Sequence, residues 1–246
     1  MWNVAAQDDA RERQMLSLFN LERPQGHQRG GIDAVLQLEG RDVPSGLHGE
    51  VVPFELKSAT KGKADFSTGR DIGLHTINRW RGLHWLFAVY DSPTDDHPSR
   101  CYYGSPGKMA AMFDLMASYI EHDVKLGELV PNLITLDTTR EVLGDRERFE
   151  PSLAKRLMKN QYSAAEYRKA LDRSDPSGYS LAAMHVMLQD RCRYLIARGG
   201  TRNNPHFPAS YFADWPPIVR NHAAILRELA IEALTGLGGP EGASGV

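Results

Sequence analysis

Seven residues, His84-Trp-Leu-Phe-Ala-Val-Tyr90, constrain this chain more than any others. They form a continuous apolar run, closed by Asp91 and the Pro/Asp-rich break from Ser92 to Arg100, and are bounded like a strand. A strand with no alternating polar position has both faces covered, as in a sheet lying between helices. The segment before it supplies one cover, because Leu74, Ile77 and Trp80 recur at helical spacing between Ile72 and Arg81. Further upstream, the runs from Ile32 to Leu38 and from Val51 to Lys57 are short and β-prone, with Gly, Pro, Asp and Ser turn chemistry between them. They read as neighbouring strands. A first helix is expected from Gln7 to Asn20, capped by Asp8 or Asp9, with Met15, Leu16 and Phe19 as its apolar stripe. The order is therefore helix, strand, strand, helix, buried strand.

The two upstream strands also carry the chemistry. Side chains alternate along a strand, so Glu55 and Lys57 share one face while Leu56 takes the other. With Asp33 beside them, two carboxylates and an ammonium converge at one end of a small sheet. Two carboxylates can hold Mg²⁺ and leave coordination positions to water and a phosphate. A lysine beside them can orient or deprotonate an attacking water. The competing reading is a surface hairpin with a solvated Glu/Lys pair. Val51, Val52, Phe54 and Leu56 make the second strand too apolar for that.

Asp33, then about twenty residues, then Glu55-Leu-Lys57, with apolar residues before each half, resembles the signature of the PD-(D/E)XK nuclease superfamily. Within it, Pro53-Phe-Glu-Leu-Lys-Ser58 is most similar to bacterial type II restriction endonucleases. The resemblance covers the first ninety residues or so, with Ile32 standing where the family name has proline. It implies a restriction-endonuclease-like α/β core, in which Asp33 and Glu55 bind metal and Lys57 activates water. In this superfamily a first-helix Glu often joins the metal site, and Glu12 falls on the apolar stripe of the first helix. The other reading of Glu12 is a stripe-margin residue paired with Arg11 or Arg13.

The candidate DNA contacts lie in two loops. After Lys57, a polar stretch carries Lys61, Lys63, Ser67, Thr68 and Arg70, residue types that grip phosphate oxygens. The second loop, Gly199-Gly-Thr-Arg-Asn-Asn-Pro-His-Phe-Pro208, follows a long amphipathic helix from Ser180 to Arg198. Arg202 suits guanine, and Asn203 or Asn204 suits adenine. Gly-Gly and Asn-Pro equally describe an ordinary turn. His27, Gln28 and Arg29 in an early loop are further phosphate candidates.

The remaining chain is expected to be mainly helical. Ser105-Pro106 opens a helix whose Met109, Met112, Phe113, Met116 and Ile120 form a core or dimer stripe. One more strand is expected from Leu133 to Leu136. Ser163 with Glu166 reads as a capping box, and Pro216-Pro217 as the start of a final helix. The expected domains are a catalytic core over 1–137, a helical DNA-binding region over 138–237 packed on it, and a disordered tail over 238–246.

Composition sets few further limits. Only Cys101 and Cys192 occur, far apart and without metal-ligand spacing, which points to reduced thiols in a cytoplasmic protein. No apolar run reaches bilayer length and no basic-then-apolar signal sequence opens the chain. A net charge of −2 leaves DNA binding to a local basic patch. No nucleophile elbow, phosphate-binding glycine loop or zinc spacing occurs. The expectation is a Mg²⁺-dependent, sequence-specific double-stranded DNA endonuclease acting as a homodimer, its host protected by a DNA methyltransferase. The alternatives are a repair or recombination nuclease of the same fold, and a non-catalytic DNA-binding protein.

Overall fold

In a computed structural model the chain is described over residues 4–24, 31–61, 65–171 and 178–236, with side chains from residue 9 onward. Lys63, His27, Gln28, Arg29 and the tail over 238–246 lie outside the described residues. The chain divides into two compact units, one of residues 1–116 with 203–246, the other of residues 117–202. This division differs from the expected boundary at 137. The segment after 116 builds helices of the second unit, and the segment after 202 returns to the first.

The first unit begins with α1 (Val4–Phe19). It buries Met15 and Phe19 and half-buries Leu16, the expected stripe. Asp9 lies inside α1 rather than at its start, because the helix begins earlier than its polar residues suggest. Then come β1 (Ala34–Gln37), β2 (Val51–Thr60), β3 (Asp65–Ser67), α2 (Leu74–Trp80), β4 (His84–Tyr90), β5 (Arg100–Gly104) and α3 (Pro106–Ser118), the last running just past the unit boundary. The main sheet has the order β1-β2-β4-β5. β2 and β4 are parallel, joined through α2, and the two outer pairings are antiparallel. Every residue of β4 is buried, as its unbroken apolar run requires. The edge strand β5 went unread in the sequence, where Arg100-Cys-Tyr-Tyr-Gly104 is short and follows a Pro/Asp break.

The two sheet faces are covered differently. Leu36, Val52, Phe54, Leu56, Leu86, Ala88 and Tyr90 pack with Met15 and Phe19 of α1 and with Leu226 and Ala230 near the chain's far end. The opposite face is aromatic. Phe87 meets Phe66, Phe207 and Phe212 at ring separations of 5.1, 5.2 and 4.7 Å, and Trp85 meets Trp80 and Phe113 at 5.2 and 5.5 Å. Such edge-on and tilted pairs add to what burial alone contributes. Met109, Phe113 and Met116 of α3 are buried, so the methionine stripe is core.

The second unit contains α4 (Glu121–Leu133), α5 (Leu136–Leu143), β6 (Arg148–Phe149), α6 (Pro151–Met158), α7 (Ala164–Ala170), β7 (Tyr179–Ser180) and α8 (Leu181–Gly199). The strand expected from Leu133 to Leu136 is absent. That segment is the end of α4, a break, and the start of α5, where the Thr135 hydroxyl accepts from Thr138 N. Ile134 and Thr135 are extended, but they are spent as the C-cap of α4 and the N-cap of α5. The capping box is present: Glu166 N donates to Ser163 Oγ, and Ser163 N donates to the Glu166 carboxylate. Ser180 caps α8, and Gly199 ends it. Gly178 lets β6 and β7 approach, since a Cβ there would sit 2.7 Å from the Phe149 carbonyl oxygen.

The chain re-enters the first unit through β8 (His206–Pro208), antiparallel to β3, and ends its described part with α9 (His222–Thr235). The final helix therefore starts at His222 and not at Pro216. Ile218 is instead spent on backbone bonds with Cys101, donating and accepting at 2.7 and 2.9 Å.

Candidate functional site

The Asp/Glu-x-Lys constellation is assembled by backbone pairing. Ala34 stands opposite Phe54 in the β1–β2 register, and one further step sets Asp33 opposite Glu55. Asp33 N donates to the Phe54 carbonyl at 3.1 Å, and Asp33 Oδ2 accepts from Leu56 N at 2.9 Å. These bonds hold the Asp33 carboxylate against β2.

Glu55 is 7 % exposed. Its Oε1 accepts from Lys57 Nζ at 2.6 Å, while its Oε2 is buried without a hydrogen-bond partner. Lys57 Nζ also donates to the Leu56 carbonyl at 3.3 Å and lies 5.8 Å from the Trp85 ring centre. Trp85 is the register partner of Glu55 across the parallel β2–β4 pair, so the aromatic face of the sheet walls the site.

The charges perturb one another. Burial raises the Glu55 pKa above the usual carboxylate range, Lys57 opposes that, and the nearby Asp33 charge adds to it. Burial disfavours the Lys57 ammonium, but Glu55 and Asp33 together outweigh burial and its pKa stays raised. Arg79 on α2 also favours the charged form of Glu55.

The donor set suits a hard divalent cation. A buried carboxylate oxygen left without a donor is costly, and Mg²⁺ takes oxygen ligands of this kind. Asp33 and Glu55 would hold it. Among the described residues no group of three or more His, Cys, Asp or Glu side chains gathers as a metal site. Further ligands would therefore be water or substrate oxygens, as is usual for Mg²⁺.

Glu12, the tentative third ligand, is half-buried and accepts from Arg23 at 2.9 Å. Its charge reaches Lys57, whose pKa it helps raise. Arg11 does not pair with it. Arg11 is buried, 4.4 Å over the Tyr90 ring, and donates to Thr60 Oγ1 at 2.8 Å. Arg13 donates to the Asp9 carbonyl.

The first predicted DNA loop is partly strand. β2 runs to Thr60, and β3 occupies 65–67. Its partner, β8, is the end of the second predicted loop, which is therefore also partly strand. Thr68 donates its backbone N–H and its hydroxyl to the Pro205 carbonyl at 3.2 and 2.7 Å, and Asn204 N donates to the Gly69 carbonyl at 2.9 Å. Ser67, Thr68 and Arg70 are thus clasped beside Asn203 and Asn204, through a pairing invisible in the sequence. Ser67, Arg70 and Asn203 are exposed, and Asn204 holds a left-handed φ of 53°. Phe66 of the same clasp packs on Phe87, the register partner of Lys57.

The other predicted contacts are otherwise engaged. Lys61 pairs with Asp91 at 3.5 Å on the surface. Arg198 donates to Tyr194 Oη, and Arg202 lies 4.0 Å over the Tyr119 ring, both in the second unit. Gly200 brings its backbone against Asp123, where a Cβ would come within 2.8 Å of the aspartate Cβ. Arg79 and Trp85 were missed as neighbours of the site, because only helix packing and strand register bring them there. No protein-family model matches the chain, and no curated protein sequence does.

Proposed function

We propose that the chain is a Mg²⁺-dependent endonuclease that hydrolyses phosphodiester bonds of double-stranded DNA, on a core resembling that of type II restriction enzymes. One observation carries the reading. The buried Oε2 of Glu55 lacks a donor beside Asp33, while Lys57 holds the other oxygen of the same carboxylate. Bound Mg²⁺ supplies Lewis acidity toward a phosphate oxygen and lowers the pKa of a bound water. Asp33 and Glu55 position that charge, and Asp33 is itself positioned by Leu56 N. Lys57, kept cationic by its two carboxylate neighbours, donates a hydrogen bond toward the attacking water or the phosphate. Ser67 and Arg70, with Asn203 and Asn204, supply donors for the DNA backbone and base edges, and Thr68 holds their loops together through the Pro205 carbonyl.

The test is incubation of supercoiled plasmid with the chain and Mg²⁺, with EDTA as control. Cleavage that EDTA abolishes, followed by mapping of the ends, supports the reading. Uniform ends at one sequence support the restriction class, and scattered ends support a repair or recombination nuclease. Binding without cleavage under any divalent ion leaves only a DNA-binding protein. A homodimer, with each site meeting one strand, is part of the proposal.

A further inference from the structure

The helix pair α6 and α7 gathers positive charge that the fold leaves unpaired. Residues 151–170 hold five cations, Lys155, Arg156, Lys159, Arg168 and Lys169, against one carboxylate, Glu166, in a chain that totals 29 basic and 31 acidic residues. All five are exposed, and none has a carboxylate partner among the described residues. Other exposed cations of the same unit are paired, Lys125 with Glu121, Arg140 with Asp137 and Arg193 with Asp190. The carboxylates nearest in sequence are already engaged. Glu166 closes the capping box on Ser163 N, and Glu150 accepts from Ser152 Oγ. Both helices turn their inner sides, Ala154, Met158, Tyr167 and Ala170, into one core, and five residues connect them. Their outer sides are therefore neighbouring stretches of the surface.

A cation in a last helical turn complements the helix dipole, and that accounts for Lys155, Arg156, Arg168 and Lys169 one by one. It does not account for Lys159, which lies past the end of α6 with a left-handed φ of 48°, nor for leaving all five unpaired. Lys159 follows Lys155 and Arg156 by four and three positions, a spacing at which like charges repel. An anion brought from outside relieves that repulsion. What lies between the cations says which kind. Ser152, Asn160, Gln161, Ala164 and Ala165 are exposed, and no large apolar side chain is exposed between 151 and 170. A helix bound to a membrane surface needs an apolar face, and a protein partner needs aromatic or aliphatic anchors. Cations among small polar residues make a surface that tracks phosphates.

We infer that the outer side of α6 and α7 binds the phosphate backbone of duplex DNA without reading its sequence, in addition to the contacts of Ser67, Arg70, Asn203 and Asn204. The choice of DNA as the polyanion rests on the proposed function, while the surface itself needs nothing from Asp33, Glu55 or Lys57. Backbone contacts of this kind release the counterions condensed on the duplex. They set affinity and its salt dependence and leave base preference to other residues.

Equilibrium titrations of the full chain with a labelled duplex, in EDTA and over a range of salt, test it. Each phosphate neutralised contributes about 0.9 to the slope of log affinity against log salt. Lys155→Gln, Arg156→Gln and Lys159→Gln together are expected to lower that slope by about 2 or more, and Arg168→Gln with Lys169→Gln by about 1–2. The same loss of charge at paired positions, Lys125→Gln, Arg140→Gln and Arg193→Gln, is expected to leave the slope nearly unchanged. Lys155→Arg with Lys159→Arg, which keeps the charge, is expected to keep it too. Thermal melts check that each variant folds. An unchanged slope in the α6 and α7 variants overturns the inference, as does an equal fall in the paired-position control. Binding to phosphatidylglycerol vesicles that depends on these cations, with none to the duplex, also overturns it. Plasmid cleavage with Mg²⁺ by a chain whose slope ignores α6 and α7 keeps the nuclease reading and removes this inference. Duplex binding that depends on them, with no cleavage, does the reverse. A chain that binds no duplex at low salt removes both.

Discussion

Lys57 and Glu55 meet at 2.6 Å on one face of β2, and the ammonium engages only one of the two carboxylate oxygens. Strand alternation makes the meeting unavoidable once β2 forms, since the two residues are two positions apart. It also splits the carboxylate into a satisfied oxygen and a buried, unsatisfied one.

Asp33→Asn separates metal binding from fold. The amide oxygen can still accept from Leu56 N, so the β1–β2 register should persist and the melting temperature should move little. On the proposed nuclease reading the lost charge removes a Mg²⁺ ligand, so any cleavage should fall below detection while any DNA binding remains. Plasmid cleavage, a gel-shift titration and a thermal melt check the three parts. Cleavage at the unsubstituted rate would falsify the assignment of the metal ligands.

If the proposed nuclease reading holds, Lys57→Ala should remove a charge-assisted contact to the attacking water or the phosphate. The expected loss of cleavage rate is about 10²–10⁴-fold. Stability should fall by about 2 kcal/mol, below the usual cost of breaking a fully buried pair, because the Lys57 side chain keeps 19 % exposure and Glu55 can take up a proton. Urea denaturation measures the second effect, and single-turnover cleavage the first.

The clasped loops make a discriminating pair of substitutions. Asn203→Ala should cost about 1–3 kcal/mol of preference between cognate and scrambled duplexes if it reads a base edge. Arg70→Ala should weaken binding to both duplexes alike and lower its salt dependence. Arg202 is stacked on Tyr119, so Arg202→Ala should act on stability, by about 0.5–1 kcal/mol. Binding titrations at two salt concentrations, with a melt for each variant, separate these outcomes.

His84 gives a pH signature independent of any ligand. It is buried, its Nδ1 lies 2.6 Å from Tyr103 Oη, and burial lowers its pKa to about 4. The unfolded chain, with an imidazole pKa near 6.5, therefore binds more protons than the folded chain between the two values. Stability should rise with pH through that window and be lost as pH falls from 6.5 toward 4, by up to about 3 kcal/mol. Denaturation free energies across this range, with an NMR titration of His84, test it. A His84 that titrates near 6.5 in the folded protein refutes the prediction.

How far the sequence disclosed all this follows from the range of each signal. Periodicity and caps act locally, so the buried β4, the stripe of α1, the Ser163–Glu166 box and the end of α8 were all readable. Asp33, Glu55 and Lys57 were readable because strand pairing and alternation bring them together over one short connection. What failed needed distant partners. β5 is too short to announce itself without β4 beside it. The polar stretch after Lys57 hid β3, which exists only through β8, some 140 positions later in the chain. Arg11 looked like a surface charge on a polar helix, and only the Tyr90 ring and Thr60 hydroxyl show why it is buried. Apolar residues from Leu133 to Leu136 mimicked a strand because each was judged without the helix on either side.

The pairing of β3 with β8 carries a consequence for how the chain is made. The first unit is discontinuous, with residues 117–202 inserted between its two parts. During synthesis, Phe66 and Phe87 emerge long before Phe207 and Phe212, the rings that cover them. The inserted unit has its own core around Phe149, Met158, Tyr179, Met184 and Met187, so it can close while the older sheet still waits. Loop-closure entropy makes such distant pairings slow, and exposed aromatic surface in the interval invites aggregation. The late segment from 203 onward therefore acts as a latch on a half-built sheet, and a nascent chain halted before it would present an aromatic face to chaperones.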